Sequence, residues 1–516
     1  SSALNTVTFN CNNSTLSFAS ADANKRYVLQ LNGADYITFN DLVINATGTT
    51  TTNYGWGIHL TGGADNNSFN TCVVNTNAGT PANSINLYYP LVINGSGTVA
   101  LTGGPSGSNN SFLDCTMNGG YNGVILNGTG VGTEAQNNTF INTQVKDFYQ
   151  YGYQMLYQRG VYISGSDISR PTKNVVTTTS GIFISTGCLN SLVENNRVHN
   201  LFDGLTTSTS ACYPLYCIAD ATLSEPNRFI NNIVYNINNT GINYGIYNAG
   251  GDYMNAYHNT ISLDAPIAAT GVTYGFYQTT AAVGINIRNN IVTIGRGGTA
   301  AKVGLYYNTT ASAIVSDNNA VFMNPAAGGT KNYGNYGATN YATLANWQGA
   351  NLLSPFDLNS VAADPVYTNA AANDYTPTAL ATNNIGGAVG VPLDINGVTR
   401  CPNSDPGAIE YALPGLDGDI TWVSPTSPTT AGLKTITVSV ANNLSTTITD
   451  LTLTYTDGIT PVTETFSGLN IGICGTQTFS FTTQYNVVTS ATLRAYINSV
   501  NGISDNTQLN DTTGIQ

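Results

Sequence analysis

The stretch Thr273–Gly295, TYGFYQTTAAVGINIRNNIVTIG, echoes Asn243–Asp264, NYGIYNAGGDYMNAYHNTISLD, which begins 30 residues upstream. Each stretch starts with Tyr-Gly-apolar-Tyr, passes through a polar break, and continues with an apolar residue, polar residues and an asparagine. Other copies of the first half read GIHL, GVIL, GVYI, GIFI and GLYY, and copies of the second half read NNSFNTCVV, NNSFLDCTM, NNTFINTQV and NRFINNIVY. Self-similarity at an interval of this size indicates a repeat architecture.

Each repeat holds two or three short strand-like segments separated by Gly, Asn and Thr turns, with no segment of helical periodicity. Parallel strands that lack a crossover helix can follow one another only if the chain winds into a solenoid. The sequence therefore predicts an all-β protein with a right-handed parallel β-helix over residues 1–325. The asparagines that end the second half-repeats are expected to stack into a hydrogen-bonded ladder; these are Asn196, Asn232, Asn259 and Asn290.

Charged residues make up only 8% of the chain, where ~25% is usual, and Asn, Thr, Ser and Gly supply the polarity instead. The formal net charge of −13 argues against nucleic acid as a partner. No apolar run approaches the ~20 residues of a transmembrane helix. Together with the cysteines, this composition favours an extracellular or cell-surface, secreted protein. The opening SSALNTVTFN already resembles a strand, so we expect a mature or excised piece of a longer protein.

Eight cysteines offer two candidate disulfides. Cys212 and Cys217 flank the short segment CYPLYC and form one candidate pair. Cys72 and Cys115 occupy one position of adjacent turns, ~4.8 Å apart, which is compatible with a disulfide or with two stacked thiols. The scattered histidines and the lack of a CxxC pair argue against a structural zinc site, and no metal ligands are assigned.

After Phe322 the repeat gives way to a different pattern over residues 326–411, predicted to close the β-helix. The parts from Asp357 to Tyr367 and from Asp394 to Tyr411, including DPGAIEY, resemble the closing segment of secreted β-helix repeat proteins of Bacteroidota. The stretch RYVLQLNGADYITFNDLVI resembles a first turn of that family. Pro406 and Ile409 depart from the family pattern. The resemblance covers roughly residues 1–411 and implies a secreted β-helix.

Residues 412–419, ALPGLDGD, are predicted to be a linker, and residues 420–516 a second domain. Segments such as KTITVSVAN, TDLTLTYTDG and ATLRAYINSV alternate in polarity and are separated by polar turns, which predicts an antiparallel β-sandwich. It is similar to the immunoglobulin-like, adhesin-type modules of bacterial surface proteins. Asp417 and Asp419 are candidate Ca²⁺ ligands, and no other cofactor is expected. No sorting domain is recognised in the final residues.

Many β-helices degrade polysaccharides, and such an enzyme needs paired carboxylates or a Ca²⁺ cage beside a base. The predicted strands carry single acids, such as Asp220, Asp252 and Asp264, so no catalytic residue is assigned. The rival prediction of a carbohydrate-active hydrolase or lyase stays open beside a non-enzymatic one.

The residue after each Gly-apolar pair should face outward, because side chains alternate along a strand. This reading gives an outward stripe of His59, Ile93, Ile125, Tyr162, Phe183, Ala219, Tyr247, Tyr277 and Tyr306. Its aromatic members, Tyr162, Phe183, Tyr247, Tyr277 and Tyr306, are the candidate binding residues for glycans or other surface subunits. Alternatively, a loop, the C-terminal segment or another subunit covers the stripe, or it merely stabilises the rod. The sequence thus favours a non-enzymatic structural or adhesive protein, a segment of a surface fibre or large adhesin, with glycans, other surface subunits or further copies of the chain as candidate partners.

Overall fold

The computed structural model describes residues 2–504 and 510–515, and within them it confirms the all-β prediction. The chain winds through three parallel sheets, A, B and C, adding one strand to each sheet per turn. It divides into two compact units, residues 1–399 with 404–410 and residues 400–403 with 411–516.

The strands of the three sheets are as follows. Sheet A contains Val7–Asn10, Ile37–Asn40, Ser68–Asn70, Ser111–Leu113, Thr139–Ile141, Tyr162–Ser164, Leu192–Glu194, Asn227–Ile230, Met254–Tyr257, Ile285–Arg288 and Ile314–Asp317. Sheet B contains Thr15–Phe18, Val43–Ala46, Val73–Asn75, Thr116–Asn118, Gln144–Lys146, Asp167–Ser169, Arg197–His199, Ile233–Tyr235, Thr260–Leu263, Ile291–Ile294 and Ala320–Met323. Sheet C contains Tyr27–Asn32, Gly55–Thr61, Tyr88–Ile93, Asn122–Asn127, Tyr151–Leu156, Thr179–Ile184, Cys212–Cys217, Asn243–Asn248, Thr273–Gln278, Lys302–Tyr307, Lys331–Tyr336 and the antiparallel Thr339–Tyr341. A minor pair joins Ala135–Gln136 to Gln158–Arg159.

Equivalent residues of successive turns lie in register, so like side chains stack along the solenoid. In sheet A a phenylalanine column begins at Phe9 and Phe39, whose rings are 5.0 Å apart, and it continues through three further turns. Inward residues of all three sheets form one continuous buried core. The repeat in the sequence is therefore the repeat of this core, because each turn contributes the same inward positions.

The predicted asparagine ladder is confirmed between sheets A and B. The Nδ2 of Asn232 donates to Oδ1 of Asn259 at 2.9 Å, and the same bond joins Asn196 to Asn232 and Asn259 to Asn290. Each backbone N–H also donates to the next Oδ1, as Asn232 N does to Asn259 at 3.0 Å. Because every amide is buried and bonded, the ladder satisfies polar groups that would otherwise destabilise the core.

A cap covers the end of the solenoid that follows sheet C strand Lys331–Tyr336. The short helix Leu344–Gln348 places Trp347, which is fully buried, over the core, and Trp347 Nε1 donates to Asp357 Oδ2 at 2.7 Å. The backbone of Asp357 and Val361 pairs with the last strands of sheets A and B. All three sheets are thus paired at this end.

Residues 366–410 fold back along the outer face of sheet B rather than extending the cap. This segment contains strands Tyr367–Asn369 and Asp374–Pro377, and its Tyr375 and Ile409 pack on Tyr235. The N–H of Ala408 donates to Thr260 Oγ1 at 2.9 Å. Within the described residues, the 3₁₀ turns are Thr80–Asn83, Asp203–Leu205, Ala370–Ala372 and Leu380–Thr382.

The second unit contains antiparallel sheets around a separate core. Its strands are Gly418–Ser424, Gly432–Lys434, Thr437–Asn442, Ile448–Thr456, Val462–Ile471, Thr476–Ser480, Tyr485–Val487, Leu493–Val500 and Thr512–Ile515. A disulfide that the sequence analysis did not predict joins Cys401 to Cys474, 73 residues apart.

The predicted disulfide between Cys212 and Cys217 is wrong. Both thiols are free and buried, and the residues stand at opposite ends of one extended strand. Five steps of ~3.3 Å place their Cα atoms ~16 Å apart, beyond the ~7 Å limit of a disulfide. Cys72 and Cys115 do lie at one position of adjacent turns, but as free thiols, whose Sγ atoms contact the carbonyl oxygens of Phe39 and Phe69.

Among residues 2–504 and 510–515, no helix combines the length and apolar character needed to cross a membrane.

Candidate functional site

The outer surface of sheet C carries a continuous patch of aromatic rings, which we call the aromatic face. Neighbouring ring centroids lie 4.2 to 5.4 Å apart. The face consists of Tyr151, Phe183, Tyr213, Tyr216, Tyr244, Tyr247, Tyr274, Tyr277 and Tyr306. All members except the buried Phe183 are half-buried, so the patch remains accessible along its length.

The face is built from two columns that run along the solenoid. One column follows the strand register through Phe183, Tyr216, Tyr247, Tyr277 and Tyr306. The second column lies three residues earlier on the middle strands and contains Tyr213, Tyr244 and Tyr274. Tyr244 and Tyr247 belong to one strand and their rings are 4.8 Å apart, so both point to the same side.

A glycine explains how two residues three positions apart share one side of a strand. At Gly275, between Tyr274 and Phe276, an added Cβ would lie 2.3 Å from Val292 Cγ1, which is inside the core. Gly275 and the buried Phe276 therefore both face inward, and the usual alternation is interrupted. The close approach of sheets B and C at this point leaves no room for any side chain but hydrogen.

The structure brings together four of the five predicted binding residues: Phe183, Tyr247, Tyr277 and Tyr306. Tyr162 instead lies on sheet A, where its hydroxyl donates to Glu194 Oε1 at 2.7 Å. Placing Tyr162 in the stripe was wrong because the true copy of the motif in that turn is GYQ, from Gly152 to Gln154.

Two further members of the predicted stripe are misplaced. Ile93 faces the core, and Ala219 is buried after the end of its strand. Tyr216 is the residue in register with Phe183 and Tyr247, where the sequence prediction placed Ala219. The prediction missed Tyr216 because Pro214 stands where other turns have the glycine of the motif. The Tyr-Gly pairs NYG and TYG were the signal that could have revealed the second column.

Loops cover the aromatic column in the earlier turns. His59 is fully buried, and its ring nitrogens contact Gln30 Nε2 at 3.0 Å and Asn94 Oδ1 at 2.9 Å. Burial lowers the pKa of His59 to about 4, so the ring is neutral at physiological pH. Ile125 is enclosed in a small cluster with Trp56 and Ala100. The accessible part of the face therefore begins at about Tyr151.

Ring orientation determines what the face presents to a ligand. The rings of Tyr277 and Tyr306 are 2° from parallel, and those of Phe183 and Tyr216 are 6° from parallel. Rings stacked in this way cover each other's faces, so the exposed parts are ring edges and phenol hydroxyls. Burial, followed by the neighbouring phenols, raises the pKa of Tyr216 and Tyr277, which keeps these hydroxyls protonated and able to donate.

Carboxylates of the closing segment are used in internal hydrogen bonds. Asp357 is fully buried and accepts from Ser316, Asn319, Trp347 and Ser360 at 2.7 to 2.9 Å. It ends the asparagine ladder, and burial raises its pKa.

Acids between Asp394 and Tyr411, the stretch that ends in DPGAIEY, brace the backbone in the same way. Asp394 accepts the N–H groups of Asn396, Val398 and Glu410. Glu410 Oε2 in turn accepts the N–H of Asp405 at 3.0 Å.

The acids that the sequence placed on strands, Asp220, Asp252 and Asp264, lie in the connections between strands, and the backbone N–H of Asp252 donates to Asp220 Oδ1 at 3.3 Å. Asp252 accepts the N–H of Val283 at 2.7 Å, and Asp264 accepts from the hydroxyls of Ser262 and Thr293. Within the described ranges, no group of three or more His, Cys, Asp or Glu side chains is arranged to hold a metal ion. Asp417 accepts from the side chain of Asn510, and burial raises the pKa of Asp419. Ca²⁺ binding by Asp417 and Asp419 stays a prediction.

No protein-family model matches the chain, and no curated protein matches its sequence. Among solved structures, the chain is similar to the crystal structure of PfbA, a surface adhesin of Streptococcus pneumoniae. The two share 9% sequence identity with a TM-score of 0.29, over 63% of this chain and 76% of the other.

Proposed function

We propose that the protein is a non-enzymatic extracellular adhesive protein whose aromatic face binds a partner at the cell surface. The observation that carries this proposal is the face itself, in which nine rings lie side by side and eight of them stay accessible. Soluble proteins rarely expose a contiguous patch of this kind unless it contacts a ligand or another protein. Tyrosines supply a large contact area at a low cost in conformational entropy.

Glycans are the partner class that the chemistry of the face favours. Stacked pairs such as Tyr277 and Tyr306 cover each other's faces, so binding there would use ring edges and neutral hydroxyls, which donate hydrogen bonds to sugar hydroxyls and accept them. Near-absence of charge on these strands suits an uncharged polymer, since the segment Thr273–Gln278 carries no acid or base. The columns run along the solenoid, so an extended chain would contact several turns at once and gain affinity by multivalency.

The experiment is a glycan array probed with the intact chain and with the triple variant Tyr216→Ala, Tyr247→Ala, Tyr277→Ala. The matched control is Tyr162→Ala with Tyr257→Ala, which removes two tyrosines from sheet A. We expect the triple variant to lose binding by tenfold or more, as hot-spot truncations do, and the control to retain it. Equal binding by all three proteins would remove the aromatic face from consideration.

The rival function is a polysaccharide hydrolase or lyase on the same fold. The aromatic face would then hold substrate, and one of the acids near it would have to act as general acid or base. Incubation of the chain with polysaccharides that bind on the array, followed by measurement of new reducing ends and unsaturated products, separates the two. Turnover would replace the adhesive proposal, whereas binding without cleavage supports it.

A second protein subunit is the alternative partner of the aromatic face, since a surface fibre needs contacts between proteins. In that case the triple variant would assemble less than the control while glycan binding is absent from all three proteins. The array and a pull-down from the producing cell surface, run side by side, distinguish the two partners.

A further inference from the structure

Lys173 is a buried lysine whose amine contacts a side-chain amide. Only 2% of the residue is exposed, and its Nζ donates to Asn83 Oδ1 at 3.0 Å and to the carbonyl of Ala78 at 2.6 Å. Among the described residues, no salt bridge involves Lys173. Lysine is almost never buried without an acidic partner, so this contact needs an explanation beyond ordinary packing.

The contact joins parts of the solenoid that are three turns apart. Asn83 lies in the connection that precedes the sheet C strand Tyr88–Ile93. Lys173 lies in the connection that precedes the sheet C strand Thr179–Ile184, and two other strands of sheet C separate these two strands. Units of a solenoid normally contact only their immediate neighbours. A contact that reaches across two intervening turns is therefore unusual.

The surroundings of Lys173 favour the neutral amine. Burial, followed by the positive charge of Arg170, lowers the pKa of Lys173 to about 8, against ~10.4 for an exposed lysine. Arg170 is itself fully buried and donates to the carbonyls of Leu201 and Tyr149, so its charge is held in place. A desolvated lysine beside a second cation is an activated nucleophile, because a share of its amine is uncharged near neutral pH.

We propose that Lys173 and Asn83 form a covalent isopeptide bond. The neutral Nζ attacks Asn83 Cγ, a bond forms between these atoms, and the bond from Cγ to Nδ2 breaks. One proton passes from Nζ to Nδ2, which leaves as ammonia, so the reaction needs neither an oxidant nor a cofactor. Groups held in contact by the fold react far faster than the same groups free in solution. Asp147, which accepts the backbone N–H of Lys173 at 3.0 Å and attracts its ammonium group, is the acid suited to pass that proton.

The bond would act as a clamp along the solenoid. It joins residues 90 positions apart and closes a loop that contains four consecutive strands of sheet C. A cross-link that closes a long loop restricts the unfolded chain, so these turns could not separate from one another completely. The clamp is independent of the aromatic face, and neither proposal falls with the other.

The test is mass spectrometry of the intact chain after reduction and denaturation, followed by tryptic mapping. We expect the mass to fall short of the value calculated from the sequence by one ammonia molecule. Trypsin does not cleave after a linked lysine, so residues 27–146 should be recovered joined to residues 160–197. Separate recovery of these regions with cleavage after Lys173 would overturn the proposal. Loss of ammonia without a joined species, as when Asn83 cyclises on its own backbone, would also overturn it.

Three substitutions locate the bond. Lys173→Arg and Asn83→Ala should each abolish the joined species and restore the lost ammonia. Lys146→Arg is the matched control, because Lys146 Nζ also contacts an amide, Gln144 Oε1, but does so at the exposed surface, and the joined species should persist. Circular dichroism melting checks the folding of the variants, and the map of the unmodified chain decides the proposal whatever the variants do. A joined species that persists in Lys173→Arg would refute the assignment.

Discussion

Removing one amide from the asparagine ladder should open the solenoid locally, and Asn259 is the position that tests this best. Its Oδ1 accepts from the backbone N–H and from Nδ2 of Asn232, at 3.0 and 2.9 Å. Its own Nδ2 donates to the carbonyl of Phe229 at 2.9 Å and to Asn290 Oδ1 at 3.0 Å. All of these groups are buried, so Asn259→Ala would leave their partners without water to replace the lost bonds.

The expected loss follows from the groups left unsatisfied. The Asn232 N–H and the Phe229 carbonyl lose this partner, while Asn232 Nδ2 keeps a bond to Val193 O at 2.9 Å. Leaving a buried polar group unsatisfied costs about 1–3 kcal/mol, so the two groups together give a local destabilisation of about 2–6 kcal/mol. The matched control is Asn255→Ala, in the same turn, where the half-buried side chain accepts one bond from Asn286. We expect a loss of under about 1 kcal/mol there.

Hydrogen exchange measured by mass spectrometry is the suitable assay, because repeat proteins open in local units rather than all at once. Peptides that cover residues 227–263 should exchange about 30- to 10⁴-fold faster in Asn259→Ala than in the unmodified chain. If Asn259→Ala accelerates exchange no more than Asn255→Ala does, the ladder contributes little and the reasoning fails.

Three other predictions follow from the same structure. Gly275→Ala should strongly lower the melting temperature, because the added Cβ would lie 2.3 Å from Val292 Cγ1 and 2.6 Å from Gly304 O. The control is Gly130→Ala, whose Cβ would lie 3.9 Å from its nearest neighbour, Thr133, and which should leave the melting temperature unchanged. The pKa of His59 is lowered to about 4 in the folded state, so the unfolded state binds more protons between pH 4 and 6.5. The free energy of unfolding should therefore fall by up to about 3 kcal/mol on acidification through that window. His59→Gln should flatten the pH dependence of the denaturant midpoint. Peptide mapping without reduction should recover Cys401 linked to Cys474, and Cys474→Ser should lower the stability of the second unit by about 4 kcal/mol; an unlinked pair in the mapped protein would contradict the assignment.

The solenoid was predictable because its core repeats in the sequence. Every turn needs an inward apolar residue on each sheet, and the later turns add a buried amide at the corner between sheets A and B, so Asn196, Asn232, Asn259 and Asn290 recur at matching places. Register was harder to predict, because turns differ in loop length. In the turn that contains CYPLYC, Pro214 replaces glycine, and this substitution concealed Tyr216.

The sequence predicted only one of the two columns of the aromatic face, and the reason is physical. Strict alternation of side chains along a strand predicts that Tyr274 and Tyr277 point to opposite sides, yet Gly275 allows two successive residues to turn inward. The rings then meet at 4.6 Å on the outside. The disulfide between Cys401 and Cys474 was not predictable either, since no local pattern links residues 73 positions apart.

The return of residues 366–410 along sheet B is also a tertiary property. Contacts such as Asn231 Nδ2 to the Leu393 carbonyl, at 2.8 Å, join positions far apart in the chain. The sequence indicates that this region closes the β-helix, but which of the three sheets it covers depends on packing. Because it covers sheet B, it leaves the aromatic face of sheet C accessible.

Footprinting of tyrosines in the bound protein tests the central claim most directly. The chain is held at saturating concentrations of the strongest array glycan and exposed to a brief pulse of hydroxyl radicals, and oxidation of each tyrosine is measured by mass spectrometry. We predict that Tyr216, Tyr247 and Tyr277 are protected relative to the free protein, while Tyr162 and Tyr257 on sheet A are oxidised equally in both. Protection confined to sheet A, or no difference on sheet C in a protein that binds, would contradict the assignment of the aromatic face as the contact surface.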